Sequence, residues 1–227
     1  MNIVCYFSGS GHSKAIAEYF ADKLGWDMIP IGAGLPADCT GTAVIVFPVY
    51  CQNIPPPVRR FLKAFRPERA VLIAAYGRVS PGNVLYEGKK LLRSPVIAGA
   101  CIPTGHTFLQ KDYSFDTDAL QPIFGRIAAP QNAVIPKLPK DFFADLFPAW
   151  RSRVSVRIIR NDSCTRCGLC RENCPMNAIT DGKPDRRCIR CLRCVTECPQ
   201  NALRFENSRL LARYLAGHDR REVQLFL

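Results

Sequence analysis

The sequence predicts an α/β protein in which a parallel sheet, covered by helices on both faces, is followed by a small cysteine-rich domain. Short apolar runs alternate with helical patterns through about the first 130 residues, as in a parallel sheet with crossover helices. Eight of the twelve cysteines then fall between Cys164 and Cys198. A proline-rich stretch at 130–150 indicates a connector. We therefore expect domains at 1–150 and 151–206, and a helical tail at 207–227.

Five strands and four helices are predicted in the first domain. The runs at 43–47 and 70–76 are continuously apolar, which predicts strands covered on both faces. The predicted strands are Asn2–Phe7, Met28–Ile31, Ala43–Phe47, Ala70–Tyr76 and Pro95–Ile102. The predicted helices are Ser13–Leu24, Val58–Phe65, Val84–Leu92 and Asp118–Ala128. Alternation of Val154, Val156 and Ile158 with polar residues predicts one more strand, leading into the cysteine-rich domain.

Composition narrows the classes of protein that fit. Hydrophobic residues make up 48% of the chain, which argues against disorder. No apolar run approaches about 18 residues, so no membrane span is expected. The apolar start at Ile3–Phe7 lacks the basic region of a secretory signal, and a cytoplasmic location is expected. Cysteines of a cytoplasmic protein are expected to be metal ligands or free thiols rather than disulfides. Those without ligand spacing are expected to be free: Cys5, Cys39, Cys51 and Cys101.

A Gly/Ser-rich loop, Ser8-Gly9-Ser10-Gly11-His12-Ser13, joins the first strand to the first helix. Its small residues allow successive N–H groups to point at an anion, and the helix N-terminus adds partial positive charge. A Walker A loop is disfavoured because no Gly precedes Lys14. A dinucleotide loop is disfavoured because its third Gly is missing. A plain helix-capping turn remains the alternative.

The strongest motif is a duplicated cysteine pattern. C-x2-C-x2-C-x3-C-P begins at Cys164 and again at Cys188, 24 residues later, which indicates repeats at about 155–183 and 184–206. Three thiolates at this spacing can wrap one face of an iron–sulfur cubane. Zinc sites do not use a third cysteine in this way, and the expected location argues against disulfides. Clusters that only hold the fold together remain the alternative to clusters that carry electrons.

The Gly/Ser loop resembles the FMN phosphate loop of flavodoxins, which is usually written Ser/Thr-x-Thr-Gly-Asn-Thr. His12 stands in the Asn slot, and serines replace the threonines. The resemblance implies a flavodoxin-like fold whose FMN phosphate is held by Ser8, Ser10, Gly11, His12 and Ser13. It also implies that the loops after the third and fourth strands hold the flavin ring. The residues expected there are Pro48, Val49, Tyr50, Asn53, Tyr76, Gly77 and Arg78.

Arg78 departs from the acidic second loop that is usual in long-chain flavodoxins. A positive charge beside the ring would favour the reduced, anionic flavin. The sequence therefore leads us to expect easier reduction than in an acidic flavodoxin. A solvated Arg78 without this effect remains the alternative.

The cysteine-rich half closely resembles the bacterial dicluster ferredoxins, in which the fourth cysteine of each motif binds the other cluster. The resemblance implies one [4Fe–4S] cluster on Cys164, Cys167, Cys170 and Cys198. It implies a second on Cys174, Cys188, Cys191 and Cys194. Together the halves resemble the flavodoxin–ferredoxin fusion proteins of anaerobic bacteria and archaea, over residues 1 to about 205.

This resemblance implies an electron-transfer protein that passes electrons between FMN and two clusters and on to protein partners, such as an acidic ferredoxin or a reductase. The formal charge of +12 falls to about +6 once the clusters and the phosphate are counted.

The alternative function is that of an FMN-dependent oxidoreductase, which reduces a small substrate with electrons supplied by the clusters. No acid–base site or nicotinamide fingerprint is evident. Nucleic-acid binding is not expected, because the arginines lack aromatic platforms.

Overall fold

The computed structural model describes residues 1–32, 34, 40–109, 114–146 and 148–227. It confirms the predicted fold class. Five parallel strands stand in the order β2-β1-β3-β4-β5, and a sixth strand, β10, pairs antiparallel with β5. The strands of this sheet are β1 Ile3–Tyr6, β2 Asp27–Pro30, β3 Thr42–Pro48, β4 Arg69–Tyr76, β5 Val96–Pro103 and β10 Gln224–Phe226. The helices that follow them are α1 His12–Leu24, α2 Pro56–Ala64, α3 Val84–Leu92 and α4 Gln121–Ala128, the last preceded by a 3-10 turn at Asp118–Leu120.

The core forms on both faces of the sheet because β3, β4 and β5 are apolar along almost their whole length. Alternate residues point to opposite faces, so Ile45 and Leu72 enter one apolar cluster while Val44 and Ile73 enter the other. Parallel strands place all their carboxyl ends at one edge of the sheet. The loops after β1, β3, β4 and β5 therefore meet there.

The sixth strand differs from the prediction of a helical tail. The tail does contain a helix, α8 Arg209–Ala216, whose N-terminus is capped by Ser208. Beyond it, Leu225 packs on one core cluster and Phe226 on the other, which is the alternation of a strand. Pairing with β5 covers an edge that would otherwise expose unpaired backbone groups.

The segment before β10 is fastened to the end of β4. The Tyr76 hydroxyl donates to the Glu222 carbonyl at 2.7 Å. The Arg78 guanidinium pairs with Asp219 at 2.7 Å, and the Arg220 N–H donates to the Arg78 carbonyl at 2.8 Å. Residues 219–226 thus form a strap across the loop after β4.

Acid should loosen this strap. Hydrogen bonds from Arg221 and Arg78 lower the pKa of Asp219 to about 2. A carboxyl whose pKa is lowered by folding stabilises the fold above its unfolded pKa, near 4, and loses that effect as the pH falls towards 2. We expect the amide resonances of Leu225 and Phe226 to move towards their unfolded positions over this range in an NMR titration. Asp219→Asn should remove that transition, and an unchanged titration in this variant would contradict the prediction.

The cysteine-rich domain contains two short pairs of antiparallel strands. Strand β6 (Val156–Arg160) pairs antiparallel with β9 (Leu203–Asn207), and β7 (Ile179–Thr180) with β8 (Lys183–Pro184). Helices α6 (Leu169–Glu172) and α7 (Arg193–Thr196) occupy equivalent places in the two repeats. Left-handed backbone conformations also recur 24 residues apart, at 166 and 190, 168 and 192, and 177 and 201. The backbone therefore repeats as the sequence does.

The connector differs from an irregular linker. It contains a 3-10 turn at Phe142–Asp145 and begins helix α5, Pro148–Ser155. The predicted strand around Val154 consequently starts only at Val156. Asn53 donates to the Ala144 carbonyl and accepts from Lys140, and both bonds are 2.8 Å long, so they tie the connector to the loop after β3. In the part of the chain that is described, no helix combines the length and apolarity needed to cross a membrane.

Candidate functional site

Four cysteines surround one cavity in the cysteine-rich domain. Its volume is about 280 Å³. Three of the four come from the first repeat and the last comes from the second, and they are Cys164, Cys167, Cys170 and Cys198. We call them the first cysteine set. Cys167 is exposed at the surface.

The second cysteine set, Cys174, Cys188, Cys191 and Cys194, also combines both repeats. Burial raises the pKa of Cys191 to about 11 and that of Cys194 to about 12, and the thiols of Cys188 and Cys174 add to both shifts. Burial likewise raises the pKa of Cys170 in the first set. Burial therefore favours the neutral thiols of Cys191 and Cys194, and a bound cation would favour their deprotonation.

Backbone donors support one sulfur in each set. The Ala178 N–H donates to Cys174 Sγ at 3.2 Å, and the Ala202 N–H donates to Cys198 Sγ at 3.3 Å. Hydrogen bonds of this kind to ligand sulfurs also tune the reduction potential of iron–sulfur clusters. Among the described residues, no three His, Cys, Asp or Glu side chains converge on a point where a single metal ion could bind. Four thiolates around a cavity suit a cubane, in which each sulfur binds a different iron.

The Gly/Ser loop after β1 has the features of an anion cradle. Gly11 has a φ of +94°, and among the described residues nothing lies within 4 Å of the position a Cβ would take there. Helix α1 begins at His12 with no acidic residue in its first turn. The Ser8 hydroxyl accepts from the Gly11 N–H at 3.1 Å, and the Ser10 hydroxyl bonds to Thr107 at 3.0 Å. Ser13 is buried. The positive φ of Gly11, the space that the described residues leave beside it and the helix N-terminus are compatible with a bound anion, and a plain helix-capping turn remains the alternative.

A histidine in the loop after β5 lies beside this cradle, and the sequence reading missed it. A Cβ on Gly77 would lie 2.6 Å from the His106 ring, so the two loops pack closely. Burial and the charge of His12 lower the pKa of His106 to about 4. Its Nδ1 accepts from the Phe108 N–H at 3.2 Å, which leaves the proton on Nε2. The general rule that ligands bind at the carboxyl ends of parallel strands could have drawn attention to this loop.

The side chains expected around a flavin ring meet at the same edge, but other parts of the chain cover them. Tyr76 is 1% exposed and bonds to the strap, as does Arg78. The Arg78 charge is thus balanced by Asp219. Burial raises the pKa of Tyr50, with Cys191 raising it further and Arg193 lowering it. Pro48 ends β3, and Val49, which follows it, donates its N–H to the Ala75 carbonyl at 2.8 Å. The Asn53 side chain forms hydrogen bonds with Ala144 and Lys140 of the connector.

The second cysteine set packs directly on the Gly/Ser loop. A Cβ on Gly9 would lie 2.0 Å from the Cys191 carbonyl oxygen, so only glycine allows this approach. Arg193 donates to the Ser8 carbonyl from Nη2 at 2.7 Å and from Nε at 3.1 Å. Its guanidinium carbon lies 5.3 Å from the centre of the Phe7 ring. This contact could not be predicted from the sequence, because its partners are more than 180 residues apart.

A second contact joins the two domains on the far side of the cradle. The Asn207 side chain donates to the Phe108 carbonyl at 2.6 Å, and the rings of Phe108 and Phe205 lie 6.0 Å apart. The cysteine-rich domain therefore rests on the carboxyl edge of the sheet.

The remaining cysteines were expected to be free thiols. Cys5 and Cys101 are buried in the sheet, and burial raises the pKa of Cys101 to about 12. Cys51 is exposed beside Ser152, with 3.6 Å between Sγ and the hydroxyl oxygen. Cys39 lies outside the described residues.

Comparison with known proteins gives a match in the second half of the chain. Residues 157–180 and 185–204 match the family described as 4Fe–4S binding domain. Among solved structures, a "putative flavoprotein" of Bacteroides uniformis is 16% identical, with a TM-score of 0.36 over 47% of this chain and 92% of that one. One of Bacteroides eggerthii is 19% identical, with a TM-score of 0.40 over 56% and 98%. No curated protein matches the sequence. The strand order β2-β1-β3-β4-β5 is that of a flavodoxin-like fold, and the segments 157–180 and 185–204 are similar to 4Fe–4S binding domains.

Proposed function

We propose that this chain is an electron carrier of the cytoplasm that binds one FMN and two [4Fe–4S] clusters. The first cysteine set would hold one cluster, the second set the other, and the Gly/Ser loop the FMN phosphate. When bound, FMN exchanges electrons singly or in pairs, whereas each cluster exchanges one. The observation that carries the proposal is the packing of Cys191 on Gly9, because it brings the second set to the loop that would anchor the flavin.

The surroundings of the predicted ring contacts favour a carrier over an enzyme that reduces a small substrate. Tyr76 is buried and covered by the strap, whereas Tyr50 is half-buried against the apolar cluster that contains Cys191. A small substrate needs an open approach to the flavin, and the strap closes the side that Tyr76 would offer. Electron exchange with the chain's own clusters needs no such opening.

The test is anaerobic purification followed by iron, sulfide and flavin assays. About eight irons and one FMN per chain are expected. Iron without flavin would contradict the flavin half of the proposal, and flavin without iron would contradict the other half.

Gly11→Ala should lower the FMN content without unfolding the protein. Its Cβ would occupy the space in which we propose that the phosphate binds, and the left-handed φ adds strain of about 1–2 kcal/mol. Gly25→Ala is the matched control, because Gly25 ends the same helix with a φ of +65° and also has open space around it. We expect at least about a tenfold weaker FMN affinity for Gly11→Ala in a fluorescence titration, equivalent to about 1.4 kcal/mol. Equal affinities in the two variants would contradict the phosphate site.

We further propose that the partners are acidic one-electron proteins. The chain from Arg151 onward carries 16 basic and 8 acidic residues. Attraction between exposed charges is screened over about 10 Å at 0.1 M salt. Reduction of the chain by an acidic plant-type ferredoxin should therefore slow about tenfold when salt rises from low to physiological concentration. A rate that does not depend on salt would contradict an acidic partner.

A further inference from the structure

We propose that the two cysteine sets have fixed and different places in the electron route. The cluster on the second set exchanges electrons with the flavin. The first set is the port, by which we mean the place where a one-electron protein partner delivers electrons to the chain. This inference rests on the proposed function and adds an order to it.

The asymmetry is visible at one pair of equivalent cysteines. Cys167 and Cys191 occupy the same position in the two repeats, 24 residues apart. Cys167 is exposed, whereas Cys191 is 8% exposed and belongs to the apolar cluster of the sheet. Electron transfer between proteins needs close approach, and the first set offers a partner an exposed cysteine at the position where the second set has a buried one.

The arginines around the two sets follow the same asymmetry. Arg166 is exposed on the rim of the first cavity. Its equivalent, Arg190, is buried, and its Nε donates to the Val156 carbonyl at 2.9 Å. One copy is therefore available to an acidic partner, while the other supports the domain from within.

Arg193 lies where the second cysteine set meets the Gly/Ser loop. The residue 24 positions earlier is Leu169, so this arginine breaks the repeat. It bonds to the Ser8 carbonyl in the Gly/Ser loop and, at 3.4 Å, to the Asn173 carbonyl next to Cys174. A single side chain thus ties the phosphate cradle to the second set. We regard Arg193 as a positioning residue.

The electrons balance with a reduced ferredoxin as the donor. Each ferredoxin loses one electron and is oxidised, and that electron would pass from the cluster on the first set to the cluster on the second set and then to the flavin. Two such transfers, with one proton from water, convert oxidised FMN to its fully reduced anion.

The test mixes the loaded protein with a reduced acidic ferredoxin and follows cluster bleaching and flavin bleaching separately. Gly9→Ala forces Cys191 away from the loop, and Gly125→Ala is the control because its Cβ would meet no described atom within 4 Å. In Gly9→Ala we expect faster hydrogen exchange at residues 189–193, an unchanged rate of cluster bleaching, and flavin bleaching slowed about tenfold or more. Arg193→Gln should act in the same direction without adding a clash.

The port is tested with Arg166→Glu, which should slow cluster and flavin bleaching by the same factor, about threefold to tenfold. Faster hydrogen exchange at 189–193 with unchanged flavin bleaching would contradict electron transfer to the flavin through the Gly9–Cys191 contact. Unchanged bleaching in Arg166→Glu would contradict delivery of electrons at the first set. Failure of the proposed function would look different, because the wild-type chain would then lack flavin or iron from the start.

Discussion

Replacing Cys198 by alanine should leave a chain that binds about four irons instead of about eight. Cys198 lines the first cavity together with three cysteines of the other repeat. Its loss should therefore remove the cluster of the first set, although Cys198 is adjacent in sequence to the second. The surviving cluster should still reduce the flavin when a small viologen dye supplies the electrons.

The equivalent replacement, Cys174→Ala, is the matched comparison. Cys174 raises the pKa of both Cys191 and Cys194, so it lies near them, and its loss should leave about four irons but disconnect them from the flavin. Iron assays, EPR of the reduced clusters and flavin bleaching measure these outcomes. If each motif bound its own cluster, the two variants would exchange their phenotypes, and this result would contradict the interleaved ligand sets. Cys51→Ala controls for the loss of an exposed thiol.

Removal of iron should unfold the cysteine-rich domain and leave the central strands of the sheet intact. The domain has few fully buried apolar side chains of its own, such as Val156, Ala178, Ala202 and Leu203, whereas β3, β4 and β5 are buried almost throughout. Units of about 50 residues with so small a core usually depend on metals or disulfides, and metal binding then supplies the free energy of folding.

Hydrogen exchange after anaerobic treatment with an iron chelator measures this effect. We expect loss of protection at 156–207 and retained protection in β3 and β4. Ile189 and Cys191 should become exchangeable although they pack on the sheet, because their loop is shaped by the cluster ligands around it. Full protection of 156–207 without iron would show that the domain is stable by itself and would contradict the prediction.

The sequence predicts the central strands because their signal is local. The run at 43–47 became β3 Thr42–Pro48, and the helix at 84–92 was predicted without error. Continuous apolarity can only be satisfied by burial on both faces, so no knowledge of the neighbours was needed.

What the sequence does not predict depends on distant partners. Strand β10 is only three residues long and exists because β5 offers an open edge. Gly9 could be assigned to a tight turn, but its contact with the Cys191 carbonyl depends on a segment 182 residues away. Tyr76 could be placed at a strand end, whereas the strap that covers it comes from the end of the chain. A strand or helix can be predicted from its own apolar pattern. The contacts between surfaces that are distant in the sequence cannot.

The position of β10 has a consequence for the order in which the molecule is made. Strands β6 and β9 pair side by side, and the Ser208 N–H bonds to the Ser155 carbonyl at 2.8 Å, so the chain enters and leaves the cysteine-rich domain at one place. That domain is therefore an insertion between β5 and the strand that completes the same sheet. During synthesis from the N-terminus, the sheet keeps an open edge until residues 156–207 have left the ribosome. Iron–sulfur assembly and closure of the sheet are consequently linked in time, and a chain that fails to acquire its clusters would hold its last strand less firmly.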